Sequence, residues 1–108
     1  MATPKEPTEV FVTRLNDNQR NAVRWSSVLL DTVDAPITVT AYKVYRGINP
    51  NGSDAVLVKT VTTVDAAGAI DTLVVDPLTA PGDNHFYRVT ALAGITEGTQ
   101  SAEATDIF

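Results

Sequence analysis

The stretch that decides the fold is residues 76–91, which read DPLTAPGDNHFYRVTA. The Pro-Gly pair at 81–82 predicts a turn, because proline fixes φ and glycine accepts backbone conformations closed to other residues. After the turn, Tyr87, Val89 and Ala91 fall at every second position and therefore share one face of a strand. This stretch predicts a turn that leads into a strand with one buried face.

Other parts of the chain show the same alternation. The predicted strands are residues 9–13, 23–25, 39–47, 55–64, 69–75, 84–93 and about 99–107. Turn-forming residues separate them at short intervals, and no segment has helical spacing of apolar residues. The sequence therefore predicts an all-β protein, a seven-stranded antiparallel β-sandwich.

The composition restricts the kind of protein. A chain of 108 residues without cysteine is expected to form one domain that has no disulfide, no zinc finger and no thiol chemistry. The net charge is -5 and the basic residues are scattered, so nucleic acid is not an expected partner. The chain has no apolar run of the roughly 20 residues that span a membrane, and its polar start does not resemble a signal peptide. We expect a soluble, free-standing domain.

The domain boundary follows from two prolines. Pro4 and Pro7 withhold backbone donors and favour extended backbone. Residues 1–7 are therefore predicted to be an extended N-terminal arm, and residues 8–108 to be the sandwich.

The alternation also predicts which side chains fill the sandwich. One apolar set points inward, Trp25 is its largest member, and Leu78 closes one end of the core. The predicted structural core is Val10, Val12, Val23, Trp25, Tyr42, Val44, Leu78, His85, Tyr87, Val89 and Ala91.

These residues resemble, in order and spacing, a fibronectin type III domain of the Ig-like sandwich family. The resemblance spans roughly residues 7–105, and other Ig-like sandwiches remain an alternative. The family's corner tyrosine, whose hydroxyl bonds to the preceding loop, aligns with His85 here. An imidazole N–H is expected to make the equivalent bond to a backbone carbonyl. The matching residues are Pro7, Val10, Val12, Val23, Trp25, Tyr42, Val44, Tyr45, Arg46, Leu78, Pro81, Gly82, Tyr87, Arg88, Val89, Thr90 and Ala91.

Catalytic and metal-binding patterns are weak. His85 is the only histidine, and Ser53 or Ser101 would have to be its nucleophilic partner, but neither lies in a Gly-x-Ser-x-Gly elbow. The oxygen-rich segment 49–54 lacks the closing glutamate of an EF-hand loop. We predict no enzymatic activity, no cofactor and no metal site.

Binding surfaces are better supported, and there are two candidates. The first is the outward face of the third and sixth strands, with Lys43, Tyr45, Phe86, Arg88, Thr90 and Leu92. It has the composition of a protein interface or a sugar-stacking platform, although cross-strand aromatic pairs also serve sheet stability alone. The second combines Thr3, Pro4 and Lys5 of the arm with Val28, Leu29 and Leu30. Those three apolar residues either dock on a partner or extend and plug the sandwich.

The hypothesis that follows is a non-enzymatic structural and interaction module. Its specific form is a bacteriophage virion surface protein, located on the capsid or tail, that docks through its N-terminal arm and one loop end. The alternative is an accessory spacer or weak glycan-binding domain of a secreted bacterial carbohydrate-active enzyme or adhesin. The expected partner is a protein assembly, carbohydrate is a second candidate, and self-association through open sheet edges is possible.

Overall fold

The structure is a computed structural model that describes residues 2–15, 19–50, 54–64, 68–78 and 84–106. Within these ranges, the structure has no helix that is long and apolar enough to cross a membrane. The predicted all-β class is confirmed. The strands are β1 (Phe11–Arg14), β2 (Arg20–Arg24), β3 (Ala41–Gly47), β4 (Val56–Val61), β5 (Leu73–Pro77), β6 (Phe86–Ala93), β7 (Thr96–Glu97) and β8 (Ala104–Thr105).

The strands form two antiparallel sheets, as predicted. The smaller sheet has the order β1-β2-β5, and the larger has the order β4-β3-β6-β7, with β8 also paired to β6. The central pair of the larger sheet aligns Val44 with Val89 and Tyr42 with Ala91. Because partners across a ladder point to the same side, the predicted inward faces of the third and sixth strands meet in one layer.

Most strand boundaries differ from the prediction by a few residues; the second strand, for example, was expected at 23–25 and lies at Arg20–Arg24. The fifth strand was expected at residues 69–75, but it lies at Leu73–Pro77, because Ile70 pairs with Val64 in a separate bridge. The last strand was expected at about residues 99–107, where the structure has only the short β8, and β7 at Thr96–Glu97 was not predicted. Between them the backbone still bonds to β6, from the Gly98 N–H to the Ala91 carbonyl and from the Ser101 N–H to the Val89 carbonyl. Ile107, which the prediction placed in that strand, lies outside the described residues.

The core contains most of the predicted inward set. Val10 and Val12 are only partly buried and pack against the cluster, since β1 is an edge strand. Leu78 is half-buried and is not part of the cluster. The buried cluster is Val23, Trp25, Val28, Tyr42, Val44, Val61, Val74, Tyr87, Val89 and Ala91.

Trp25 joins the two sheets. Its ring meets Tyr42 edge-to-face, with 5.3 Å between centroids and 64° between planes. Such pairs contribute about 0.5–1.5 kcal/mol beyond the area that they bury. The indole Nε1 is buried, and it has no hydrogen-bond partner among the described residues. The indole is therefore held by packing, and its polar atom opposes burial.

Trp25→Ala is expected to lower the free energy of unfolding by about 3–5 kcal/mol, because it leaves a cavity between the sheets. Trp25→Phe should cost clearly less, since it keeps an aromatic edge against Tyr42 and removes the unpaired N–H. Denaturant titration of both variants measures the difference. Equal losses in the two variants would contradict this account of the core.

Candidate interaction surfaces and the network that holds them

A buried polar network occupies one end of the sandwich and is centred on Asp106, directly after β8. Its Oδ2 accepts from Arg14 Nη2 at 2.7 Å and from Asn21 Nδ2 at 2.8 Å. The carboxylate also accepts from the His85 backbone N–H at 2.6 Å. β1, β2 and the start of β6 supply these donors, so one carboxylate ties both sheets to the last described residue.

His85 is part of this network. The residue is 2% exposed, and its Nδ1 lies 2.9 Å from Asp106 Oδ2. The expected bond from the imidazole to a backbone carbonyl is replaced by a bond to a side chain, because the chain after β8 brings a carboxylate to this corner. The sequence placed His85 inward, and the structure gives the inward ring a buried partner.

A second carboxylate continues the network across the sandwich. The Tyr87 hydroxyl accepts from Asn21 Nδ2 at 3.0 Å and donates to Asp76 Oδ2 at 2.6 Å. Arg46 Nη1 donates to both Asp76 oxygens, at 2.9 and 2.8 Å. Burial and the bond to Asp76 raise the pKa of Tyr87, so the hydroxyl keeps its proton and remains a donor.

The electrostatics of the network favour ionised Asp106. Burial by itself raises the pKa of a carboxyl, but the hydrogen bonds from Arg14, Asn21 and His85 outweigh it and lower the pKa of Asp106 to about 2. The folded pKa lies below the ordinary value of 3.8. The network therefore stabilises the fold above about pH 4 and loses that contribution as the pH falls toward 2.

Asp106→Asn is expected to cost about 3–5 kcal/mol at pH 7, because it removes the buried negative charge that accepts hydrogen bonds from Arg14, Asn21 and His85. Denaturant titrations from pH 7 to pH 2 should also show a weaker acid dependence than the wild type between about pH 4 and pH 2. The exposed acid Glu6 offers the matched variant, Glu6→Gln, which should keep the wild-type profile. An unchanged acid profile in Asp106→Asn would contradict the role of Asp106.

The opposite end of the sandwich is built from the N-terminal arm and a hairpin. The hairpin covers residues 29–37, with a bridge from Leu30 to Pro36 and a bond from the Ile37 N–H to the Leu29 carbonyl. The arm runs along its outer side. The Lys5 N–H donates to the Leu30 carbonyl at 3.1 Å, and the Thr32 N–H donates to the Thr3 carbonyl at 2.9 Å.

The arm is not a free extension of the domain. Pro4 and Pro7 are fully buried, and Pro4 forms a bridge with Asp31. Gly98 passes so close to Pro4 that a Cβ there would collide with the Pro4 carbonyl. The arm therefore belongs to the folded body, and its Thr3 and Pro4 backbone is committed to this chain rather than available to a partner.

The hairpin tip is held rigidly. Asp31 Oδ1 accepts from the Val33 and Ala35 backbone N–H groups, both at 2.9 Å, as in an Asx-turn. Asp34 adopts a positive φ of 63° and forms an ion pair with Lys5. These contacts fix the tip and present the Val33 side chain, which is 79% exposed.

We call the residues exposed here the arm–hairpin end. Val28 is buried in the core, so one residue of the predicted trio plugs the sandwich while Leu29 and Leu30 are exposed. A groove of about 210 Å³ lies between the arm and this segment. The sequence analysis grouped the arm with the trio, and it did not include Val33. The arm–hairpin end comprises Lys5, Glu6, Leu29, Leu30, Val33 and Asp34.

Gly98→Ala is expected to push Pro4 away and to loosen the arm, at a cost of about 1–3 kcal/mol. Hydrogen exchange should become faster at the Lys5 and Thr32 amides, which join the arm to the hairpin. Thr99→Ala, at the exposed neighbouring position, is the control. Unchanged protection of both amides in Gly98→Ala would show that this contact does not hold the arm.

The other predicted surface lies on the larger sheet and is bonded internally. Tyr45 donates to Glu97 Oε2 at 2.5 Å, and Glu97 also accepts from Thr90 at 2.7 Å. Burial and then the bond to Glu97 raise the pKa of Tyr45 to about 12. Arg88 contacts Gln100 and Glu103. Phe86 lies diagonal to Tyr45, across from Gly47.

Two residues of this outward set differ from the prediction. Thr90 and Leu92 were expected on an exposed face, but they are 1% and 9% exposed. β7 and the segment that follows it pair along the edge of β6, and the Glu97 side chain bonds to Thr90. The three residues Tyr45, Phe86 and Arg88 are half-buried. The Tyr45 hydroxyl and the terminal nitrogens of Arg88 contact side chains of the same sheet, which favours the cross-strand role over a sugar platform.

The other side chains that were considered for catalysis or metal binding make structural hydrogen bonds. Ser101 Oγ accepts from the Val89 N–H and donates to the Ala102 carbonyl. Asp54 accepts from the Ile48 and Asn49 N–H groups and closes the turn after β3. Ser53 lies outside the described residues. Within the described ranges, no group of three or more His, Cys, Asp or Glu side chains is arranged to hold a metal.

Comparison with known proteins identifies the fold. No protein-family model matches the chain, and no curated protein matches it. An Fn3-like protein from Clostridium thermocellum is similar, with a TM-score of 0.73 and 21% identity over 98% of this chain and 94% of that one. Domains from titin match with a TM-score of 0.72 and 16% identity, over 97% of this chain and 32% of that one. The pectate lyase Pel3 from Pectobacterium carotovorum matches with a TM-score of 0.65 and 17% identity, over 92% of this chain and 26% of that one.

These matches confirm the predicted fibronectin type III-like sandwich. At such identities they establish the fold alone. What the chain binds has to be argued from its own surfaces.

Proposed function

We propose that this chain is a non-enzymatic interaction module that binds a protein assembly through its arm–hairpin end. The observation that carries the proposal is the rigid presentation of Val33. A side chain that is 79% exposed stands on a turn whose backbone is fixed by Asp31 and by the arm. Anchors that are already ordered lose little conformational entropy on binding.

The interior supports a module rather than an enzyme. The single histidine is committed to Asp106, and Ser101 is committed to the backbone of β6 and its own segment. General acid–base catalysis needs a titratable group within reach of a substrate. His85 is buried, and its ring links the start of β6 to Asp106.

The arm–hairpin end fits a protein better than a glycan. Its exposed side chains are aliphatic, with Leu29 71% exposed and Leu30 37% exposed. Sugar rings are bound by aromatic stacking and by free polar groups, whereas apolar side chains rimmed by charged ones are typical of protein interfaces. Lys5, Glu6 and Asp34 supply that rim.

Two biological settings follow, and they remain proposals. Decoration of a bacteriophage virion is the first, and it uses the arm–hairpin end as the docking surface. A spacer or accessory domain of a secreted enzyme is the second. It is supported by the similar sandwich within the chain of the pectate lyase Pel3. Capsid, portal and tail genes beside this gene would favour the first. A hydrolase in the same reading frame would favour the second.

Val33→Glu is expected to abolish binding to the native assembly, because it places a charge where the apolar contact forms. The purified chain is mixed with virion particles and, separately, with cell-envelope fractions from its source, and co-sedimentation is measured. Ile95→Glu is the matched control, since Ile95 is 91% exposed at the turn between β6 and β7. It should sediment like the wild type.

Loss of binding in Val33→Glu alone, with an unchanged thermal melt, supports the proposal. Equal binding by both variants would show that the arm–hairpin end is not the docking surface. Turnover of a substrate by the wild type that His85→Gln abolishes would overturn the non-enzymatic assignment.

A further inference from the structure

The N-terminal arm joins the rest of the domain through a strained bend. The chain changes direction at Glu9, between the arm and β1. Glu9 has a φ of 55°, in the left-handed region that residues with a Cβ rarely adopt. Asn and Asp enter this region more easily, because their short side chains bond to nearby backbone, but glutamate has no such help. The connection between the arm and β1 therefore stores backbone strain.

Contacts on both sides of the bend hold Glu9 in this conformation. The Ser26 N–H donates to the Thr8 carbonyl at 2.9 Å, and Ser26 Oγ donates to Glu9 Oε2 at 2.7 Å. Further along the arm, the Lys5 and Thr32 amides bond the arm to the hairpin. A strained residue persists only where the surrounding structure over-determines it. Glu9 is bent because the arm is docked on its own domain.

The surface that receives the arm comes from residues far away in the sequence, and we call it the arm site. Leu30, Asp31 and Thr32 form one side of it, and Gly98 lies on the other side of Pro4. Pro4 is fully buried between them. None of these contacts depends on which chain the arm belongs to. An arm of the same sequence from a second copy can make every one of them.

We propose that two copies of this chain exchange their N-terminal arms, with residues 2–8 of each copy docked in the arm site of the other. Glu9 then adopts an extended φ, and the arm continues beyond β1 instead of bending onto its own domain. A reciprocal exchange is closed by two-fold symmetry, so it ends at a dimer. The dimer keeps the bonds of the monomer and relieves the strain at two bends, and strain in such a connection favours swapping.

Sedimentation velocity over a concentration series tests the exchange through the backbone preference of residue 9. The arm of the same copy competes at an effective concentration in the millimolar range, so the wild type should be monomeric at about 0.01 mM and partly dimeric at about 1 mM. Glu9→Val should lower the dimer Kd at least about tenfold, because a β-branched residue is strained further at positive φ. Glu9→Gly should raise it at least about tenfold, because glycine accepts that φ.

Glu9→Gln is the matched control. It removes the charge, but it keeps an unbranched side chain with the same backbone preference, so its Kd should equal that of the wild type. Equal dimer Kd values in Glu9→Val, wild type and Glu9→Gly would overturn the proposal. A monomeric Glu9→Val with fast hydrogen exchange at the Lys5 and Thr32 amides would also overturn it. In the exchanged dimer both amides stay protected, because the partner's arm fills the site.

Mixing two variants tests whether the arm of one copy binds the arm site of another. Gly98→Val blocks the site, because a Cβ there collides with the Pro4 carbonyl, and it leaves a free arm of native sequence. Pro4→Glu disables the arm, because it places a charge at a fully buried position, and it leaves an empty site. Each variant alone should be monomeric, and an equimolar mixture should form a one-to-one dimer at about 1 mM.

Thermal melts of the two variants first show that each is folded. A mixture of the folded variants that stays monomeric would overturn the proposal. Association of either variant alone would overturn it as well, because neither has both a working arm and an open site.

This inference goes beyond the proposed function and does not rest on it. Val33→Glu should lose binding to the native assembly and still exchange arms, because the Val33 side chain is exposed at the hairpin tip. Glu9→Gly should do the reverse, and it should co-sediment with the assembly as a monomer. Assembly binding without any exchange in Glu9→Val would leave the proposed function standing and would overturn the arm exchange.

Discussion

The carboxylate of Asp106 is the interaction on which much of this structure depends. This carboxylate lies directly after β8 and accepts hydrogen bonds from β1, from β2 and from the residue before β6. It compensates the buried guanidinium of Arg14 and orients the one imidazole of the chain. A sandwich without disulfides thereby gains a polar link between its layers, and that link uses the residues that would otherwise be candidates for catalysis.

The sequence was informative where structure is local. Alternation at Tyr42 and Val44, and at Tyr87 and Val89, correctly identified the inner faces, because a strand repeats every second residue whatever lies opposite. The partner of His85 was not predictable, since Asp106 is 21 residues away and reaches the corner only through the path of the last strands. The bounds of β7 and β8 were not predicted for the same reason, because their pairing depends on β6 rather than on their own pattern.

The surfaces were harder to predict than the core. The arm and the Val28-Leu29-Leu30 segment were predicted to form one docking region, but the tertiary hydrogen bonds that join them could not be predicted from the sequence. The exposed position of Val33 was not predicted, although the Asx-turn that holds it begins at Asp31 and is a local feature of the sequence. The exposed Phe11 was visible as the outward member between Val10 and Val12, yet nothing in a one-dimensional pattern tells which outward residues a neighbouring strand covers.

The arm near Pro4 and the carboxylate of Asp106 are fixed at opposite ends of β1, one beside the hairpin and the other beside Arg14. Tension applied between these two points would run parallel to the strands. The ladder bonds of antiparallel strands stand perpendicular to that direction, so they would be loaded together in shear instead of opening one after another. We therefore expect the sandwich to resist such tension more strongly than tension applied across the strands.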